Sequence, residues 1–321
     1  MKGYELSDFD IVVVGELNAD LILSDPQGFP EMGKEKLVGG MLLTMGSASA
    51  IFATNIAHLG MRVGFIGKLG NDYLGKIVTD TLAERGVDCS GIQVMADEKT
   101  GITVALSYPE DYAMMTYMGA METFNLADVD FDYVKRGKHL HFSSYYLQPG
   151  MRHSCAELFK RAKDLGMTTS FDPGPDPADK YEADILKVLP FIDVFLPNES
   201  EAMAIAHKDT VEEALEFLAQ YASTTVITCG SEGALARSKG QTLKSNVYKV
   251  KPVDTTGAGD SFNCGFLLSW LAGAPLEASL VTGSACGAIA TTKVGGATAS
   301  PDRKEMESFI RANGKDIFGS K

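Results

Sequence analysis

Apolar residues recur along this chain in two alternating patterns. Short, largely apolar runs stand at "DIVVVG" (10–15), "RVGFIG" (62–67), "HLHF" (139–142), "MTTSFD" (167–172), "IDVFLPN" (192–198) and "TTVITCG" (224–230). Their length and continuity predict strands buried on both faces. Between them, apolar positions fall at helical spacing over 46–59, over 73–85 up to Gly86, near 151–165, and through about 220. Two long helices are predicted near 258–272 and 277–292. Repeated strand–helix alternation predicts an α/β fold with a parallel-rich central sheet flanked by helices.

Two segments, about 18–43 and 99–118, lack a helical period. The second, "TGITVALSYPEDYAMMTYM", reads as a hairpin turning at "PEDY". Both follow strand–helix elements, so they are expected to project from the sheet edge as a small β lid. No linker, repeat or low-complexity tract divides the chain, and residues 1–321 read as one domain carrying that lid.

Composition narrows the function classes. Of 321 residues, 45% are hydrophobic and 22% charged, as expected of a globular chain, and the net charge is -13. Such acidity disfavours nucleic acid as a partner. No apolar run approaches the ~18 residues of a membrane span, and "MKGYELSDFD" has no apolar signal core. The five cysteines are dispersed with no CxxC pair, which suggests reduced thiols in a cytoplasmic protein.

The chemistry concentrates in "DTTGAGDSF" (254–262). Gly257, Ala258 and Gly259 precede an apolar helix, and a bare helix N-terminus is an anion hole. Asp260 beside such a hole suits a general base that takes a hydroxyl proton while the hole holds the charge of a transferring phosphoryl group. It equally suits a simple N-cap. "GNDYLGKI" (70–77) fits a P-loop pattern, but Ile77 offers no hydroxyl to Mg²⁺ and Asp72 would bring charge into a phosphate cradle, so it reads as a turn. In "LPNESEA" (196–202), Asn198, Glu199 and Glu201 gather at a strand's C-terminal end, where they could serve Mg²⁺ or cap a helix. "TCGSEGA" (228–234) could wrap a nucleotide phosphate or form a hairpin turn. In "GELNADLIL", Asn18 and Asp20 could bind polyol hydroxyls, and the small residues of "MGSASA" (45–50) could let a substrate approach the backbone. His139 and His141 alternate on a strand and read as structural.

Taken in order, "GELNADLIL", "GS" (46–47), "VGFIGKLGNDYLG", "PNESEA", "TCGSEGA", "DTTGAGDSFNCGF" and "TTKVGGAT" resemble the ribokinase-like (PfkB-type) carbohydrate kinases over nearly the whole chain. The resemblance implies ATP and Mg²⁺ as cofactors and a sugar or related polyol as acceptor. It implies Asp260 as base and Gly257, Ala258 and Gly259 as anion hole. Asn198 and Glu201 match the family's Asn-x-x-Glu, which organises Mg²⁺ and phosphate through water, and Ser231 and Gly233 match its nucleotide loop. Asp20, Asn18, Gly46 and Ser47 match the sugar site. Asp254, with the carbonyls of Thr256, Ala290, Lys293 and Gly295, matches a monovalent-cation site for K⁺. The family's lid often dimerises, which implies a homodimer.

Three departures bear on the substrate. Ala48 and Ile51 stand where ribokinase has a Lys and an Asn; Ala299 stands where a Ser often helps bind the cation; and "FDPGPDP" (171–177) lacks the Asn-x-Arg continuation of sugar-acid and fructose kinases. The reading is therefore an ATP-dependent phosphotransferase acting on a primary hydroxyl. A nucleoside kinase or a catalytically silent sugar-binding protein on the same fold are the alternatives.

Overall fold

The computed structural model describes residues 7–108, 112–245, 247–293 and 295–314. The first half runs β1 (Phe9–Val14), β2 (Asn18–Ser24), β3 (Gly40–Met45), α1 (Ala48–His58), β4 (Val63–Gly70), α2 (Tyr73–Glu84), β5 (Asp88–Met95), β6 (Gly101–Ser107) and β7 (Tyr112–Tyr117). It continues through α3 (Phe131–Val134), β8 (Gly137–Phe142), α4 (Pro149–Arg152), α5 (Cys155–Asp164), β9 (Thr168–Phe171) and β10 (Val194–Phe195). The last third comprises α6 (Glu199–Ala206), α7 (Val211–Leu218), β11 (Thr224–Thr228), β12 (Ala234–Ser238), β13 (Gln241–Lys244), α8 (Ala258–Leu271), α9 (Leu276–Ala290) and α10 (Arg303–Ala312).

The large sheet has the order β13-β12-β11-β10-β9-β8-β1-β4-β5. From β11 to β5 every neighbour is parallel; β12 and β13 close one edge antiparallel. The continuous apolar runs have their explanation here. In β1, Ile11, Val12, Val13 and Val14 are all fully buried. Ile11 and Val13 pack toward α1, α2, α8 and α9, whereas Val12 and Val14 pack with α5, α6 and α7 on the other face. A parallel sheet covered on both faces requires such strands. The expected strand at 192–198 shrinks to Val194–Phe195, because Leu196 and Pro197 already turn toward α6.

Residues 18–45 and 101–117 form a second sheet in the order β3-β2-β6-β7, matching the two predicted insertions. β6 and β7 pair antiparallel down to Ser107 and Tyr112; residues 109–111 of the predicted "PEDY" turn lie outside the described residues. Among the described residues, no helix is long and apolar enough to cross a membrane, and all five cysteines are free.

The two histidines of β8 lie in the core. His139 Nδ1 meets the Thr168 hydroxyl at 2.8 Å, and its Nε2 meets Ser170 Oγ at 2.7 Å. The same Ser170 Oγ meets His141 Nδ1 at 2.7 Å, and His141 Nε2 meets Ser143 Oγ at 2.8 Å. Ser170 has one proton, so it donates to one ring and accepts from the other. Both rings therefore carry their proton on the same kind of nitrogen, and the two tautomers are coupled through Ser170. Burial pushes His139 down to about 3 and His141 well below its usual range.

A native state with neutral, depressed imidazoles binds fewer protons than the unfolded chain below pH ~6.5. These groups thus contribute stability at neutral pH that is lost as pH falls from about 6.5 toward 3. Ser170→Ala leaves a nitrogen of each ring unpaired and is expected to cost about 2–4 kcal/mol in urea unfolding at neutral pH. His139→Asn should lower stability there too, yet flatten the acid-side fall in the urea midpoint.

Candidate active site

The parallel strands deliver their functional residues at one edge. One or two residues beyond the C-terminal ends of β1, β8 and β9 stand Glu16, Ser143 and Asp172; beyond β10 follow Asn198 and Glu201. This is the edge at which open α/β sheets bind ligands. Asp260 reaches it from the first turn of α8.

The start of α8 is shaped by glycine. Gly257 has φ +70°, and a Cβ there would sit 2.6 Å from Gly296 Cα, so neither the conformation nor the space admits a side chain. A Cβ at Gly259 would meet nothing within 4 Å. The first turn therefore opens onto free space, and its N–H groups have no partner within the helix. Ala258 N–H donates to Thr255 O at 3.1 Å and closes the turn. Asp254 latches this loop: its Oδ1 accepts from Thr256 N–H at 2.9 Å and its Oδ2 from Gly295 N–H at 2.8 Å. The Gly295 carbonyl accepts from Ala299 N–H, the Ala290 carbonyl lies 3.4 Å from Lys293 N, and the Lys293 ammonium pairs with Glu305 at 2.8 Å.

Asn198 and Glu201 form a reciprocal capping box on α6. Asn198 Oδ1 accepts from Glu201 N–H, and Glu201 Oε2 accepts from Asn198 N–H, both at 2.9 Å. The cap uses one oxygen of each side chain and leaves the Asn198 amide nitrogen and Glu201 Oε1 outside it. Ser231 and Gly233 lie in the turn joining antiparallel β11 and β12. Gly233 has φ +90°, and a Cβ there would press on Ser245 Oγ at 2.8 Å, so the hairpin alone requires it; Ser231 is exposed.

At the smaller sheet, Asp20 and Gly46 come together: a Cβ on Gly46 would fall 2.1 Å from Asp20 Oδ1. Asn18 Nδ2 donates to Asp20 Oδ1 and to Thr103 Oγ1, each at 3.1 Å, tying Asp20 to β6. Burial raises Asp20 to about 6. Ser47 caps α1 by accepting from Ala50 N–H at 3.0 Å. The P-loop-like stretch holds no cradle for phosphate. Asp72 fills the turn, accepting from Gly75 N–H and Thr100 N–H at 2.9 Å each.

Two further acids belong to this edge. Glu16 is buried at 2% exposure. Asp172 accepts from Asn263 Nδ2 at 2.7 Å and from Gly174 N–H at 3.0 Å. Burial, then the neighbouring acids, raises Asp260 well above the carboxylate range, with Asp172, Glu16 and Glu201 contributing in that order. Burial first and Asp172 second push Glu201 to about 8; burial, with Glu16 as the neighbouring acid, pushes Asp172 to about 7. Glu16 stands inside the quoted "GELNADLIL" and Asp172 inside "FDPGPDP". Their signal was position, an acid directly after a buried strand, and motif matching passes over it. Among the described residues, no group of three or more His, Cys, Asp or Glu side chains could hold a metal directly.

The fold is that of the ribokinase-like kinases: the structure superposes on a ribokinase of Arabidopsis thaliana, solved with ribose and ATP, with TM-score 0.83 at 22% identity, covering 94% of this chain and 99% of that one. The chain belongs to the pfkB family of carbohydrate kinases, whose profile matches residues 8–303. It is 30% identical over 325 residues to a 5-dehydro-2-deoxygluconokinase of Bacillus licheniformis, covering 96% of this chain and 98% of that protein. It is 28% identical over 313 residues to the ribokinase of Haemophilus influenzae, covering 94% and 98%.

The raised acids make a stability prediction. A native pKa above the unfolded value means that the folded protein holds a proton the unfolded chain has lost, so stability falls as pH rises from about 4.5 to about 8 for Glu201. Glu201→Gln keeps an oxygen acceptor for Asn198 N–H and removes that charge. The ligand-free variant should melt above the wild type near pH ~8.5 and close to it near pH ~5, as differential scanning calorimetry would show.

Proposed function

We propose that this protein transfers the γ-phosphoryl group of ATP to a hydroxyl, a primary CH₂OH, of a sugar or related polyol. The observation that carries the reading is Asp260 in the first turn of α8, between a helix start with open space at Gly259 and a floor of raised carboxylates. An acid with an elevated pKa is a competent proton acceptor from an alcohol that is losing its proton to phosphoryl transfer. Asp260 takes that proton. The Gly257, Ala258, Gly259 backbone stabilises the charge on the moving group. Asp20 and Asn18 accept and donate to acceptor hydroxyls beside the Gly46–Ser47 backbone.

ATP with Mg²⁺ would supply the phosphoryl group and neutralise its charge. Ser231 and Gly233, in the β11–β12 turn, would meet the nucleotide phosphates, and Asn198 with Glu201 Oε1 would hold Mg²⁺ through water. The open space at Gly259 fits a phosphate, since any side chain there would occupy it. Asp254 would support K⁺ together with the carbonyls of Thr256, Ala290, Lys293 and Gly295, reinforcing the same latch that now joins the two loops. The acids that influence Asp260 and Asp172 are numerous, which favours a neutral, hydroxyl-rich acceptor over a sugar phosphate. The nucleoside reading draws on apolar Ile51, whose side chain packs 3.1 Å from the Cβ position of Gly296 beside the anion hole.

The lid supports a homodimer. Met41, Met114, Met115 and Tyr117 are exposed on its sheet, Met115 at 80%. Apolar residues in such number on one small sheet suit burial against a second copy.

Two experiments test these readings. ATP consumption with Mg²⁺ and K⁺ should find an acceptor among sugars, sugar acids, inositols and nucleosides, and Asp260→Asn should lower kcat roughly 10²–10⁴-fold while ATP still binds by calorimetry. Full turnover in that variant would remove Asp260 from the mechanism. Analytical ultracentrifugation should show Met115→Glu shifting a dimer toward monomer; an unchanged sedimentation coefficient would move the interface elsewhere.

A further inference from the structure

Glu16 is a buried acid with acceptor-only chemistry, and hydroxyl, amide and backbone donors surround it. Its Oε1 accepts from Ser49 N–H at 3.2 Å and lies at the same distance from the Ser47 hydroxyl, as the weaker branch of a shared bond. Its Oε2 accepts from the Ser49 hydroxyl and, at 3.1 Å, from Gln148 Nε2. The Ser47 hydroxyl also lies 2.6 Å from the Glu16 carbonyl. Among the described residues, no Lys, Arg or His forms an ion pair with it.

These contacts fall on one structural point, the start of α1. Ser47 has φ +71°, a left-handed conformation that costs a side-chain-bearing residue ~1–2 kcal/mol. Ser47 is held by its hydroxyl's bonds to Glu16 and its cap on Ala50 N–H. Ser49 lies so close to β1 that a Cβ on Gly15 would fall 2.1 Å from its Oγ. Further along the same helix, Asn55 Nδ2 donates to Ser261 Oγ and to Gly296 O, each at 3.2 Å. Ser261 follows Asp260, and Gly296 packs on Gly257. Helix α1 is thus a strut, anchored on Glu16 at one end and on the α8 start at the other.

We infer that Glu16 is a positioning residue for the acceptor substrate: its carboxyl group holds the start of the α1 strut through Ser49, beside the Gly46–Ser47 backbone, and stands as a further acid behind Asp172 and Asp260. The inference rests on the kinase reading above. The groups facing Asp260 are Asp172, Glu16 and Glu201, all acids, so removing one negative charge lowers the pKa of the base. Those facing Glu16 are the hydroxyls and amides already named, the Ser144 side chain, and the Asp172 and Asp260 carboxyl groups, both of which Glu16 raises.

Two variants separate anchoring from charge. Glu16→Gln replaces one acceptor oxygen with a donor amide that faces donors. Loss of a charge-assisted bond of this kind should raise KM for the acceptor about tenfold with KM for ATP unchanged. The acid limb of the kcat/KM profile should move to lower pH. Ser49→Ala removes one anchor and keeps the charge. It should raise the acceptor KM and leave the acid limb in place, and it carries the test should Glu16→Gln fail to fold. Hydrogen exchange read by mass spectrometry should quicken over residues 46–52 in both variants. Equal changes in both KM values, or an unmoved acid limb in Glu16→Gln, would overturn the inference. Should the wild-type enzyme turn over none of the acceptors tried, the kinase reading fails by itself. Exchange over 46–52 then decides alone whether Glu16 anchors α1, faster exchange supporting it and unchanged exchange overturning it.

Discussion

Like charges held together out of water are the constraint on which the rest of this site depends. Glu16, Asp172, Glu201 and Asp260 converge at the C-terminal edge of the parallel sheet, and each is raised by burial. Such a cluster opposes folding, because a carboxylate leaving water without a cation loses solvation that neighbouring acids cannot replace. It persists because the scaffold is over-determined. β1 is buried on both faces, α6 is capped reciprocally, and Asp254 latches two loops. Stability is stored in the sheet and its helices and spent at the edge, a common arrangement at sites where pKa values must be displaced.

The second organising feature is a series of buried hydrogen bonds beneath that edge. Thr168, His139, Ser170, His141 and Ser143 hand contacts along two strands. Gln148 then donates to the Ser143 carbonyl at 2.6 Å and to Glu16. Phe52 of α1 stacks on His141 with ring centroids 3.6 Å apart. The polar core and α1 are therefore parts of one packed unit. Gln148 Oε1 has no partner among the described residues, but the bonds that are made favour one conformation over its competitors, because each broken member leaves its partner unpaired.

Much of the fold was legible in the sequence. Continuous apolar runs marked the parallel strands, helical spacing marked the elements between them, and two aperiodic segments marked the lid sheet. The site was legible where motifs are local. Gly257, Ala258, Gly259 and Asp260 are contiguous, and Asn198 with Glu201 fit within one helical turn. The stretch 70–77 was correctly read as a turn from chemistry alone, since Asp72 is unsuited to a phosphate cradle and instead caps α2. Of the readings offered as alternatives, the structure shows the helix cap at Asn198 and Glu201 and the hairpin at "TCGSEGA".

Periodicity and local motifs determined the class of fold and the glycine-bearing start of α8 with Asp260 in its first turn, because those depend on neighbours within a few residues. Only the tertiary structure decided which acids meet. Glu16 and Asp172 are separated by more than half the chain's strands in sequence, and their nearness follows from the sheet order, which places β8 between β1 and β9. It also decided that Ser47, in a conformation suited to glycine, would be held by its hydroxyl on the Glu16 carbonyl, a residue 31 positions earlier in the chain. Pairing across a sheet is a long-range choice made by the packing of whole faces, and no short stretch of sequence carries it.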